Sequence, residues 1–486
     1  MSSKYIPIFS LLILILVAFA LPGPIFCTAQ SSLSLRLSFG KPFYASGEEL
    51  TATLTLSNDS PESMKNVRVT LSIDGRLSLP NQTQPSSEQE SKPLLRQTWS
   101  RSSLPAGKTE FKIKKEIPDL EDGAYQVLAT VTQEGQTILE QKSALCVMSP
   151  KISSPLLMAI VWNLHDRAHF NPQRIFLDQD IQDHCSLDPQ NPEPYFQHII
   201  ALSQHPNIQV NMNFTPLLLQ QIQDTSDGYE ILVGGKVKKI PEESKQAQDA
   251  AELLKRFEKV IKNGQIELIP APYAYPSLAT LANQGWDRDG LVQIKKGKEV
   301  VAKIFNLPEP GGLYPPNLTL NSKALSYLTQ NQVKYTILKE NIFLTVPETE
   351  GDIYMPHRVQ DAENNRLTVF FADNFLTQIL TEDQDAEATS QRLLGALTEI
   401  YLTRAGEQKI AVMSPDDVSW DPNLELLQAL YAKLEQIPWI KTIALGEATD
   451  LIAPPTRPLT LAETEPEGGY LETENLKELE RAQAGF

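Results

Sequence analysis

Cysteine and histidine are both scarce in this chain, three and six among 486 residues, and neither type recurs at metal-finger spacing. A structural zinc is therefore not expected, and no other metal site or cofactor is expected either. Basic residues are outnumbered, 43 Lys and Arg against 60 Asp and Glu, for a formal net charge of -17. That balance argues against nucleic acid and anionic membrane surfaces as electrostatic partners. A neutral substrate or a protein partner suits it better.

A long apolar run stands at the N-terminus. Lys4 precedes Ile6 through Leu21, then Pro22, Gly23 and Pro24 break the run, and Cys27, Thr28 and Ala29 supply small residues before Gln30. Residues 1–29 read as a secretory signal peptide, which places the protein outside the cell, in a periplasm or at the cell envelope. The competing reading is an uncleaved anchor, the one route by which the chain would touch a membrane. After cleavage Cys146 and Cys185 remain, as one disulfide or as two free buried thiols.

Residues 31–149 carry period-two apolar patterns. Leu50, Ala52, Leu54 and Leu56 form one, and Val67, Val69, Leu71 and Ile73 form a second that ends at the turn signal Asp74-Gly75. Phe111 and Ile113, then Tyr125, Val127, Ala129 and Val131, continue the series. Short strands with turn punctuation predict a small Ig-like β-sandwich, with a polar loop at 80–92. A spacer or docking role is expected of it.

A linker at 149–155 leads to a change of pattern. Residues 156–162 are continuously apolar, as in a strand buried on both faces. Helical patterns at 195–204, 217–222 and 250–262 then alternate with strand patterns at 208–212 and 266–269. This alternation predicts an α/β parallel barrel over 154–453 with its site at the C-terminal strand ends. Residues 454–486 are acidic and read as a largely disordered tail.

One stretch stands out within the barrel, Gly311-Gly312-Leu313-Tyr314-Pro315-Pro316-Asn317. Glycine permits unusual backbone angles and Pro-Pro fixes φ twice, so the segment aims Asn317 rigidly. It resembles the motif Gly-x-Trp-Pro-Pro-Glu of glycoside hydrolase family 57, and other motifs follow the same order. Trp162-Asn163-Leu164-His165 is similar to the family's Trp-His-x-His. Pro272-Tyr273-Ala274-Tyr275-Pro276 is similar to a second motif that has histidine where Tyr275 stands. Phe370-Phe371-Ala372-Asp373 resembles Phe-Phe-Arg-Asp, and Asp417 through Trp420 is similar to the end of Asp-Gly-Glu-Asn-x-Trp.

The resemblance implies a distorted (β/α)7-type barrel acting on α-glucan-type carbohydrate. It puts Asn317 at the position of the nucleophilic glutamate and Asp373 at that of the acid/base. It also makes His165, Trp162, Tyr273, Tyr275, Tyr314, Asp417 and Trp420 candidates for sugar binding, the aromatic ones by stacking. A retaining glycosidase needs two carboxylates about 5–5.5 Å apart, and a neutral amide cannot serve as the nucleophile. Three outcomes stay open. The chain is a catalytically degenerate carbohydrate binder, an altered enzyme pairing Asp373 with Asp166, Asp417 or Glu267, or a structural envelope protein with a protein partner.

Overall fold

The computed structural model describes residues 33–80, 93–149, 154–346, 350–360, 364–382, 385–404, 406–415 and 420–462. The expected signal peptide, most of the polar loop, Asp417 and the expected tail beyond 462 lie outside the described residues. No described helix is long and apolar enough to cross a membrane.

The period-two segments pair into two antiparallel-rich sheets. One has three strands, Leu33–Phe39, Glu49–Asn58 and Gly107–Glu116, with the middle of the sequence in the middle of the sheet. The other has five, ordered Phe43–Tyr44, Gln136–Val147, Gly123–Gln133, Met64–Arg76 and Leu95–Leu104. Their facing residues, among them Leu54, Leu56, Val69, Leu71, Phe111 and Val131, form one buried core, so each sheet covers the other's apolar face. Asp74-Gly75 does not end its strand. The strand continues to Arg76 through a register shift after Ile73, a bulge that bends it toward the second domain.

Arg76 meets that domain directly. Its Nε donates to Glu399 Oε1 and Oε2 at 2.9 and 3.0 Å, and Ala124 N donates to Oε1 at 2.7 Å. Glu399 is buried on the Ala386–Thr403 helix, where these donors satisfy its side-chain oxygens. On the same helix a Cβ at Gly395 would lie 2.6 Å from the Ala144 Cβ, so glycine sets the close approach. Ala124, Cys146 and Met148 share a core with Leu393 and Leu397. The sandwich is thus packed onto the barrel. Cys146 and Cys185 are both free and buried, and burial pushes both thiols up, which makes them unreactive.

Seven parallel strands make the barrel. They are β1 (Leu156–Leu164), β2 (Val210–Phe214), β3 (Ile266–Leu268), β4 (Gly312–Leu313), β5 (Tyr335–Lys339), β6 (Arg366–Ala372) and β7 (Ile410–Met413). Hydrogen-bonded order runs β3-β2-β1-β7-β6-β5-β4. The gap between β3 and β4 is bridged by Tyr314 N donating to Pro270 O at 3.1 Å, so the barrel is nearly closed. At Gly312 a Cβ would fall 2.4 Å from the Tyr335 ring and 2.7 Å from Ile269, which only glycine avoids.

Alternation assigns the two faces of β1. Leu157, Ala159 and Val161 belong to the interior cluster, with Ile337, Phe370 and Val412, whereas Met158, Ile160 and Trp162 pack outward under the helices. Ile443, Leu445, Ala448 and Ile452 join the interior cluster, so the Leu445–Leu451 helix fills the base of the barrel. Residues 454–462 do not behave as a loose tail. Leu459 N donates to Arg358 O and Ser322 N to Ala462 O, and Leu459 and Leu461 are buried.

Candidate functional site at the barrel mouth

Continuing the alternation of β1 puts Asn163 and His165 on the interior face, above the apolar filling. Asn213 of β2 donates through Nδ2 to Asn163 Oδ1 at 2.7 Å, and accepts from Ala271 N at 2.9 Å. Asn163 Nδ2 in turn donates to Tyr275 Oη at 3.3 Å. His165 Nδ1 hydrogen-bonds Thr215 Oγ1 at 3.0 Å, and its ring lies against Tyr275 with centroids 4.2 Å apart. Burial lowers the His165 pKa to about 4, so the imidazole is neutral at pH 7. Side chains from β1, β2 and the segment after β3 thereby form one half-buried polar and aromatic rim.

Three non-glycine residues in the segments after β3 and β4 have left-handed backbone. Tyr275, Asn317 and Leu318 have φ of 60, 55 and 53°. Asparagine tolerates the left-handed region, but tyrosine and leucine are held there at a cost of about 1–2 kcal/mol each. Asn317 is half-buried in a single 3-10 turn, Pro316–Leu318, just past β4, and the prolines before it hold that turn. Tyr275 packs on the interior cluster that includes Tyr314 and Leu318. The second and third motifs therefore converge at the mouth.

Asp373 has a different setting. It is 3% exposed and caps the Asn374–Thr381 helix, with Oδ1 accepting from Phe375 N at 2.7 Å and Leu376 N at 3.1 Å. Its Oδ2 accepts from the Tyr354 hydroxyl at 2.9 Å. Burial raises its pKa, and these donors only partly offset the shift. None of its partners belongs to the His165 group. Asp373 instead lines a cavity of about 270 Å³ with Tyr354, Glu340, and Leu79 and Pro80 of the sandwich.

Glu340 escaped the sequence reading. Lys339 pairs with Ala372 in register, so Glu340 and Asp373 follow the ends of adjacent strands. Glu340 is buried and its Oε2 accepts from Asn374 N at 3.1 Å. A lone glutamate after an apolar strand gives no local signal, and only the strand register reveals the neighbour.

The remaining candidates separate. Trp162 is buried on the outward face of β1, where its Nε1 donates to the Tyr431 hydroxyl at 2.8 Å, so it cannot stack on a sugar. Tyr314 is buried inside the barrel and is likewise closed to a ligand. Tyr273 is half-buried with the Lys296 ammonium 3.5 Å from its ring centroid, so one ring face is already covered. Trp420 is half-buried, stacks at 6.4 Å on Trp162, and shares a crevice with Asn163 beside the rim. Asp417 lies outside the described residues.

Two of the alternative carboxylates are also engaged elsewhere. Glu267 accepts from the Tyr335 hydroxyl at 2.6 Å and from Gly446 N at 2.8 Å, near the filled base of the barrel. Asp166 lies on the loop after β1 between His169 and His184. Burial alone would raise its pKa, but hydrogen bonds from His184 and His169 hold it well below the usual carboxylate range.

A nearly closed parallel barrel with polar and aromatic side chains at its C-terminal strand ends defines the class, an α/β barrel with its site at the mouth. Residues 112–457 match the model of glycosyl hydrolase family 57, and the chain belongs to that family. No curated protein sequence matches the chain. Among solved structures it is similar to a 4-alpha-glucanotransferase from Thermococcus litoralis, at 17% identity and TM-score 0.47, covering 63% of this chain and 42% of that one. It is also similar to the alpha-amylase AmyC from Thermotoga maritima, at 13% identity and TM-score 0.47, covering 64% and 77% of the two chains. A branching enzyme from Thermococcus kodakaraensis gives 12%, 0.47, 63% and 73% in the same terms.

Proposed function

We propose that this family 57 barrel binds an α-glucan-type oligosaccharide at its mouth and has lost the family's double displacement. The observation that carries the reading is the polar and aromatic rim of Tyr275, His165 and Asn163, with Tyr275 at positive φ and packed on the cluster that contains Leu318, the neighbour of Asn317. Strain of this kind persists where a ligand site requires a fixed shape. The substrate class follows from relatives named for glucan transfer, amylolysis and branching. Loss of catalysis follows from chemistry. Asn317 offers a neutral amide where a nucleophilic carboxylate is needed, and all the oxygens of Asp373 are committed to a helix cap and a tyrosine. The N-terminal leader supports action outside the cytoplasm, in a periplasm or at the envelope, where a protein partner would also be met.

A second reading keeps some catalysis and rests on Glu340, the buried carboxylate beside Asp373 in a shared cavity. The two are separated by assaying maltooligosaccharide binding, hydrolysis and transglycosylation by the chain from Gln30 onward, alongside Asn317→Glu and Asp373→Asn. The expected result is binding without turnover in all three. Wild-type turnover abolished by Asp373→Asn, which can still cap the helix, would overturn the non-catalytic reading and favour the second.

A further inference from the structure

A small sheet stands apart from the barrel strands. The hairpin of Tyr229–Val233 and Lys236–Ile240 turns at Gly234-Gly235, and its first strand also pairs with Ile175–Phe176. The base of the hairpin is fixed, because Tyr229, Ile231 and Phe176 are buried. Every residue from Leu232 to Lys239 is exposed, so the end of the ribbon stands free of the body. The three residues from Ile231 to the turn carry it about 10 Å outward.

Four of the nine large apolar side chains exposed among the described residues gather here. Leu232, Val233 and Val237 are 41, 53 and 52% exposed at the ribbon's end, and Leu177, directly after Phe176, is 51% exposed. Leu232 and Val237 are cross-strand partners on one face, while Val233 pairs with Lys236 on the other. A protein docked on a sheet covers one of its faces. Apolar side chains on both faces of a free end suit an apolar phase that surrounds it.

The charge at the ribbon's end points to the same phase. Lys236, Lys238 and Lys239 flank the apolar side chains, all exposed and none in an ion pair among the described residues. On the hairpin itself only Glu230 opposes them, across from Lys239, so this end is basic in a chain of net charge -17. The Debye length is about 8 Å at physiological ionic strength, so a tip about 10 Å from the body is screened from the body's carboxylates. The acidic surplus elsewhere then turns this end, rather than another face, toward an anionic surface.

We propose that the hairpin seats its end in the interface of an anionic lipid bilayer. Leu232, Val233 and Val237 enter the acyl boundary, and the three lysines meet the headgroups, Lys236 by folding its long stem back from the turn. Net charge alone argues against such a partner, and this hairpin is the local exception. The contact is a second route to a membrane besides the N-terminal apolar run. It is independent of the glycan reading.

The test is flotation with vesicles of phosphatidylcholine containing roughly one-third phosphatidylglycerol, beside vesicles of phosphatidylcholine alone. The chain from Gln30 onward is used, so the apolar run cannot contribute, and the described fold begins only at Leu33. Binding to the mixed vesicles is expected to exceed that to the neutral ones at least ~10-fold, and high salt should weaken it. The double variant Lys236→Glu, Lys238→Glu should lose at least ~10-fold in binding, and so should the triple variant Leu232→Ser, Val233→Ser, Val237→Ser. Val292→Ser, at an exposed apolar residue on the Asp287–Ile304 helix, should change nothing, and thermal melts confirm that each variant folds. A polarity-sensitive fluorophore on Val233→Cys should shift to the blue on the mixed vesicles, since Cys146 and Cys185 are buried and escape labelling. If wild type does not float, or the triple variant floats equally well, the proposal is overturned. Capture of polyglutamate without flotation would overturn it in favour of an acidic protein partner.

Discussion

Asp373 and His165 stand at the C-terminal ends of two strands of one sheet, at positions that correspond to family motifs, yet they are used in opposite ways. The carboxylate is buried and all its oxygens accept hydrogen bonds from its own neighbourhood. The imidazole is half-buried, rests on Tyr275, and faces the mouth. The carboxylate that matches its motif serves the architecture, while the histidine that matches its motif sits on the open rim among residues that depart from theirs, Asn163 and Tyr275. A matching residue type therefore says little about chemistry until its free lone pairs are counted.

The sharpest way to break this contrast is Asp373→Ala. The change removes a helix cap, about 0.5–2 kcal/mol, and takes the acceptor from a partly buried tyrosine hydroxyl, about 1–3 kcal/mol. A combined destabilisation of about 2–4 kcal/mol is expected by calorimetric melting, with maltooligosaccharide affinity unchanged. A variant that melts like wild type but binds glycan less tightly would place Asp373 in the binding site and dissolve the distinction.

A smaller effect sharpens the other side. His165→Ala and Tyr275→Ala should each weaken maltooligosaccharide binding about tenfold, the loss of roughly 1.4 kcal/mol of ring contact. Tyr275→Gly separates strain from recognition. Glycine accepts φ of 60° freely, so this variant should exceed Tyr275→Ala in stability by about 1 kcal/mol while binding equally poorly. Equal melting temperatures for the two would mean that the turn carries no strain.

The same contrast explains what could be read from the chain alone. Period-two patterns revealed the sandwich because each of its strands has one buried face. The run at 156–162 announced a strand but hid its faces, since Trp162 and Val161 are equally apolar and only pairing shows that Trp162 points away from the mouth. The Gly-Pro-Pro turn was legible in glycine and proline, but the left-handed Leu318 was not, because leucine is poorly suited to it. Asp373 has the residue type of a helix cap as well as that of the motif, so residue type alone does not separate the two roles. The nearness of Glu340 to Asp373 depends on the register of two strands apart in sequence, which no local pattern encodes.

The smallest expected effect concerns acid stability, where the two regions should pull in opposite directions. His165 has its pKa lowered to about 4 by burial, against about 6.5 in an unfolded chain. Between those values the unfolded state binds a proton that the folded state refuses, so this contribution is whole above pH 6.5 and is lost as pH falls toward 4. Asp373 has its pKa raised above 3.8 by burial, with Leu376 N and Tyr354 opposing. The folded state then takes up its proton first, so stability is gained as pH falls through the folded pKa toward 3.8. Melting temperatures of wild type, His165→Gln and Asp373→Asn between pH 7 and 4 resolve the two. His165→Gln should flatten the loss between pH 6.5 and 4, because the other buried histidines stay common to all three proteins. Asp373→Asn should steepen the loss in the lowest part of the range by removing the compensating gain. Parallel curves for all three would mean that neither environment perturbs its group and that the two ends of the sheet are electrostatically alike.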